Sequence, residues 1–176
     1  MYHKIKTNLN TIVFLPGMDY FAHGFWSYIL FHTTKKPYLA VLIGLLPDSL
    51  SWGIYFIYNL FNGGMPGKPN LALVPDWVYT LYGISHSLIT WGLLILCIYI
   101  IFKNVPIYLY AAPIAILFDI PTHTREFLPT PFLWPISDWA FPGISWGSKW
   151  FMITNYSLII LCLAYIFWKK YQKPSS

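Results

Sequence analysis

Five histidines and six acidic residues occur in a chain of 176 residues, and several stand where charge is costly. Asp48 lies in IGLLPDSLSWGIYF and His86 in LYGISHSLITW. Asp119 and His123 close VPIYLYAAPIAILFDIPTH, and His23 sits in MDYFAHGFW. All of these are apolar stretches. A charge at the centre of a membrane-spanning helix costs about 2.5–3.5 kcal/mol on insertion scales. No Lys or Arg lies inside these runs to form a compensating pair, so a proton, a metal ion or a water-filled cavity has to offset Asp48. Histidine and aspartate together are ordinary zinc ligands. Two carboxylates neutralise one divalent ion and neutral imidazoles add nothing. The expected ligands are His23, Asp48, His86, Asp119 and His123, holding one or two zinc ions, with Asp19 or Glu126 as further acid for a second ion. Asp19 and His23 are four residues apart, as are Asp119 and His123, a spacing that puts each pair on one helix face. Pro121 disfavours helical geometry at Ile120, so the helix is expected to end there. Thr122 could orient a ligand beside it.

The elements that must carry these residues read as membrane helices. The chain is 57% hydrophobic, 20% aromatic and 10% charged. A soluble domain has about 25% charged residues, so lipid must cover much of this surface. Five apolar segments run over about Gly17–His32, Tyr38–Phe61, Trp77–Phe102, Pro106–Ile120 and Trp150–Trp168. The fold class expected is all-α, a polytopic transmembrane bundle of about four to five spans forming one domain over residues 1–176. Residues 124–149 hold four prolines, Pro129, Pro131, Pro135 and Pro142, beside Trp134, Trp139 and Trp146. Prolines break helices and tryptophans favour the headgroup level, so this stretch reads as an irregular interfacial cap. NGGMPGKPN (62–70) reads as a flexible loop, and the N-terminus does not read as a cleaved signal peptide.

Counting about 1.5 Å per helical residue from the presumed cytoplasmic ends puts His23 and Asp48 about 16 Å deep, Asp119 about 21 Å, His86 about 25 Å and His123 about 27 Å. The five share one band, from mid-membrane toward the non-cytoplasmic face. If all five segments cross, Lys35, Lys36, Lys103, Lys169, Lys170 and Lys173 share one face. Lys4, Lys6, Lys68, Arg125 and Lys149 share the other. The positive-inside rule leans to the first face, and so the C-terminus, as cytoplasmic. The net charge of +5 sits mainly in connections and ends, which speaks for orientation and against nucleic-acid binding.

Blander roles compete. A lone intramembrane histidine often only packs and hydrogen-bonds. Asp48 could cap the helix that follows it, and Asp76 in LVPDW reads as an interfacial N-cap. His3 and His32 read as interfacial, and Cys97 and Cys162 as buried thiols. Ser85 and Ser87 flank His86, but GISHS misses the serine-elbow pattern by one residue. No HExxH is present, which speaks against a zincin-type protease.

The order of these pieces resembles a bacterial family, the inner-membrane metal-dependent hydrolases that look distantly related to zinc-dependent phospholipase C. The resemblance rests on an early His23, GLLPD (Gly44–Asp48), GISHS (Gly83–Ser87), and LFDIPTH followed by TPFLWPISDW (Thr130–Trp139). It implies His23, Asp48, His86 and Asp119 as ligands. The chain departs from the family at Ser49 and Leu50, where a second acid is common, and at Leu81 and Ala115, where histidines are common. His123 stands in for the last of these.

The function expected is a membrane-embedded, zinc-dependent hydrolase acting on a lipid or lipid-linked ester or phosphoester. Arg125 would hold a phosphate and Glu126 would act as general base. The alternative is a non-catalytic helical membrane protein whose polar cluster holds a structural ion or relays protons or ions. Haem ligation by histidine pairs is a third possibility. The partners expected are the bilayer and a lipid substrate, with no nucleic acid.

Overall fold

A computed structural model describes residues 18–62 and 71–172, without the side chains of Met18, Asp19 and Ala72. The N-terminal stretch, most of NGGMPGKPN, His3 and the side chain of Asp19 lie outside these residues. Among the described residues every regular element is helical. Helix α1 covers Met18–Phe31. Helices α2 (Pro37–Gly44), α3 (Leu46–Asp48) and α4 (Ile54–Phe61) join through a π-helical turn at Ser49–Gly53. Together they form one 25-residue rod, Pro37–Phe61. Helices α5 (Asp76–Ser85) and α6 (Leu88–Phe102) meet at a 53° bend. A 3-10 turn at Ile107–Tyr110 leads into α7 (Ala111–Thr122), and α8 (Lys149–Tyr171) closes the described chain.

These helices coincide with the apolar segments, but fewer of them cross. Two, Pro37–Phe61 and Lys149–Tyr171, are long and apolar enough to span a membrane, and the bent pair makes a third if counted as one. The hydrocarbon core is about 30 Å thick. The 14 residues of α1 reach only about 21 Å and the 12 residues of α7 about 18 Å. Four to five spans is therefore more than helix length supports. Outward faces are apolar all the same: Leu93, Leu96, Ile100 and Ile101 on α6, and Ile153, Ile160, Leu161 and Phe167 on α8, are exposed. Cys97 is exposed and Cys162 half-buried, not buried as expected, because both helices turn apolar side chains outward.

Packing draws the helices around a small polar centre. Gly44 lets α2 meet α1, since a Cβ there would land on Ser27 Oγ. Phe31, Ala40 and Ala111 form one buried apolar cluster, and Trp91, Ala112 and Ile116 form another. The small residues of α7 let the neighbouring helices approach closely. One polar clasp, Trp26 Nε1 donating to Asn155 Oδ1 at 2.9 Å, joins α1 to α8.

The Pro/Trp-rich segment is irregular, as its prolines dictate. Between His123 and Ser148 it carries only turns and one isolated bridge, Thr124–Phe127. It is nonetheless firmly docked. Ile144 N donates to Pro121 O at 2.8 Å and Trp146 N to Thr122 O at 2.9 Å, which ties it to the end of α7. Leu88 N donates to Phe132 O at 3.0 Å and Ser87 Oγ to Trp134 O, which ties it to the α5–α6 bend. Gly143 permits the first contact, because a Cβ there would clash with the carbonyl of His123 and lie 2.6 Å from Pro121 O.

Candidate functional site

Three interruptions in helical regularity and one unbroken helix deliver the site. In LPDSLSWG, Pro47 removes a backbone donor from the rod. Ser49 Oγ donates to Leu45 O at 2.7 Å and Ser51 Oγ to Pro47 O at 3.0 Å. Such back-bonding bends helices, and here the π turn starts at the residue after Asp48. π turns cluster at functional sites because they re-aim one side chain. Asp48 makes no side-chain capping bond, so the capping role considered for it is not seen.

His86 lies in the gap between α5 and α6. Ser87 starts α6, its hydroxyl accepting from Ile89 N and Thr90 N at 3.1 Å each. This N-cap holds the bend and leaves His86 outside both helices. The imidazole is fixed from behind, with Nδ1 3.0 Å from Ser85 Oγ. Its face lies against Tyr82 with ring centroids 4.1 Å apart. Trp91 Nε1 donates to Ser85 O at 2.9 Å and braces the same turn.

Asp119 sits in the last turn of α7. The helix does not stop at Ile120 as expected. It runs through Pro121 to Thr122, where the cap supplies donors to the terminal carbonyls. Thr122 Oγ1 donates to Phe118 O at 2.9 Å, so its hydroxyl serves the helix backbone and does not orient a ligand. His23 comes from the middle of α1.

Four of these side chains close into a ring. His23 Nε2 lies 2.9 Å from Asp119 Oδ1 and 3.8 Å from Asp48 Oδ2. His86 Nε2 lies 3.3 Å from Asp48 Oδ1 and 3.8 Å from Asp119 Oδ2. Each carboxylate therefore turns one oxygen to each imidazole. The side chains of Asp119 and His86 are 1% exposed and that of Asp48 is 21% exposed, so the ring opens on the Asp48 side. Both oxygens of Asp119 are sealed from solvent, and His23 Nε2 approaches Oδ1 to 2.9 Å. A buried carboxylate is costly without such partners.

His123 stands at the edge of this ring. Its Nδ1 is 3.1 Å from the backbone carbonyl of Asp119 and 3.7 Å from Oδ1 of the same residue. A carbonyl only accepts, so the shorter contact puts the proton on Nδ1 and leaves Nε2 as the basic nitrogen. Arg125 and Glu126 are not brought to the ring. Both are exposed, and Arg125 Nε donates to Ala140 O at 3.0 Å. Glu126 lines a separate cleft beyond Tyr82. Asp76 is the first residue of α5 rather than its cap. Pro75 holds the cap position, and no side chain caps it. His32 is exposed and bonds to Ile29 O, in keeping with a peripheral role.

Sequence reasoning misses Ser85 and Tyr82 as parts of this arrangement. Ser85 stands beside His86 in the sequence, where a serine reads first as a nucleophile, and no spacing rule marks Tyr82.

Among the described residues no group of three or more His, Cys, Asp or Glu stands ready-made for a metal ion. The donors pair off as His–Asp contacts instead. No family model, curated protein or solved structure matches the chain, so this grouping of residues rests on geometry and motif order alone.

Proposed function

We propose that the chain is a membrane-embedded, metal-dependent hydrolase acting on a lipid or lipid-linked ester or phosphoester, with zinc as its ion. The observation that carries this reading is the ring of His23, Asp48, His86 and Asp119. The donor set fits the ion. A tetrahedral centre with bonds of about 2.0–2.1 Å separates its ligand atoms by roughly 3.3 Å. The four ring contacts, at 2.9, 3.3, 3.8 and 3.8 Å, straddle that value, so small side-chain shifts would admit an ion. With neutral imidazoles the ring carries two negative charges, which one divalent ion cancels. A second ion would need a further acid, and Glu126 stands away from the ring.

A bound divalent ion supplies a water of pKa near 7 and polarises the bond under attack. The chain does the remainder. Asp119 and His86 hold the buried side of the ring and exclude water. Asp48 borders the open side, where a substrate ester would approach. Ser85 Oγ stands 3.0 Å behind His86 Nδ1 and turns its Nε2 inward. His123, with its proton held on Nδ1 by the Asp119 carbonyl, presents Nε2 as the proton acceptor. Glu126, expected as base, belongs by position to the cap cleft, and Arg125, expected as phosphate holder, bonds instead to Ala140 O. We read α1 and α7 as short crossings in a locally thinned bilayer, giving the four to five spans. The motif resemblance suggests a bacterial inner membrane.

A second reading is favoured by the alternation of His and Asp. If both imidazoles are protonated the ring is neutral without metal, and it would serve as a structural or proton-relay cluster. Elemental analysis separates the two. Detergent-purified protein supplied with zinc should hold about one or two ions per chain, and His86→Ala and Asp119→Ala should lose them. A metal-free wild type would leave only the relay reading.

A further inference from the structure

A cleft of about 480 Å³ lies between α5 and the cap, on the far side of Tyr82 from the ring. Its size is in the range of small-ligand sites. Its walls include the rings of Tyr79, Tyr82 and Trp134 and the carboxylates of Glu126 and Asp138. Its hydroxyl donors are already committed. Tyr79 Oη donates to Leu71 O at 2.9 Å and Tyr82 Oη to Leu128 O at 3.1 Å. Thr80 Oγ1 donates to Asp76 O at 3.2 Å. Tyr82 already lays its ring on His86, so Tyr79 and Trp134 are the aromatic residues left for a ligand, and the acids add acceptors. Neither Glu126 nor Asp138 has an ion-pair partner among the described residues, and the neighbouring Arg125 spends its Nε–H on Ala140 O. In a chain of net charge +5, two of the six acids face this one space.

We infer that this cleft is a binding site for an organic ammonium group, held between aromatic faces and the Glu126 and Asp138 carboxylates. Quaternary and primary ammonium ions are drawn to the negative faces of Trp and Tyr, more strongly when partly desolvated. Carboxylates supply the opposite charge, which suits a cation and disfavours a phosphate. The site requires no hydrolysis by the ring and stands apart from the reading above. The ammonium can come from a lipid headgroup or from a free amine.

Titration calorimetry in maltoside detergent would test this with tetramethylammonium as the probe and tert-butanol as its neutral counterpart. Saturable binding of the cation alone is expected, weakened at least tenfold by Asp138→Asn and by Glu126→Gln. Both positions are exposed, and melting curves should confirm that the variants remain folded. Trp134→Phe keeps a ring face and should weaken binding less than either amide. An equal response to tert-butanol, no saturable response, or binding indifferent to both amide variants would overturn the inference. Repeating the titration in nanodiscs separates the sources. Weaker apparent binding in phosphatidylethanolamine than in an uncharged galactolipid identifies the headgroup as occupant, while equal binding identifies a soluble amine; either result upholds the site.

Discussion

At the scale of residues, the ring assigns different work to chemically similar groups. Asp119 is sealed among imidazoles and apolar side chains, whereas Asp48 borders the open side. His86 is clamped by Ser85 and Tyr82, whereas His123 leans on a backbone carbonyl at the rim. If His123 carries the proton, His123→Gln should lower turnover by about 10²–10⁴-fold, the usual range for losing a general base. It should leave bound zinc unchanged, as elemental analysis beside a lipid-phosphoester assay would show. A variant that also lost the ion would make His123 a ligand. Residue identity was well marked in the sequence, because charge in an apolar run stands out. The pairing was not. Four residues from four helical segments reach one point through packing, and no spacing encodes which oxygen meets which nitrogen. Arg125 and Glu126 show the limit most clearly: nearness in sequence to His123 suggested a shared site, but the turn after Thr122 carries them to the cap.

At the scale of elements, the irregularities carry the site. The α5–α6 bend depends on Ser87, which caps α6 and also donates to the cap segment. Ser87→Ala should cost about 0.5–2 kcal/mol from the lost N-cap alone. Thermal melting in detergent should show that loss, and a melting point equal to wild type would mean that the bend is held elsewhere. Gly143→Val would force the cap away from Pro121 and His123, so limited proteolysis should cut faster within residues 124–148 than in wild type. Apolar runs and prolines made the helices and the cap readable. The π turn after Asp48 and the 53° bend were not, because serine back-bonding and capping leave only weak local signals. Pro121 was readable and misleading: its steric rule weakens where a docked segment satisfies the carbonyls that end the helix.

At the scale of the molecule, lipid is the missing half of the core. Long faces of α6 and α8 are apolar and exposed, and a soluble protein rarely tolerates a large contiguous apolar patch. The protein should stay with the membrane pellet under alkaline extraction. Cys97, exposed on α6, should resist a charged maleimide in intact membranes and react once the chain is denatured. Fast labelling in intact membranes would put that face in water. Composition made this scale the most legible of the three, since a chain with 10% charged residues cannot cover itself with polar groups. Span number was less so, because hydropathy does not fix where a helix bends or how short a crossing can be.

The ring has one more consequence, for how the chain is made. Its side chains arrive in the order His23, Asp48, His86, Asp119, so the helices up to Phe61 contribute one histidine and one aspartate and the later ones another of each. A ribosome that has released only the segment up to Phe61 has put a histidine and a carboxylate into lipid before their partners exist. That early segment therefore carries a polar pair that only the later helices flank. A chain stalled after Phe61 would leave His23 without Asp119 and Asp48 without His86, the neighbours each has in the finished fold.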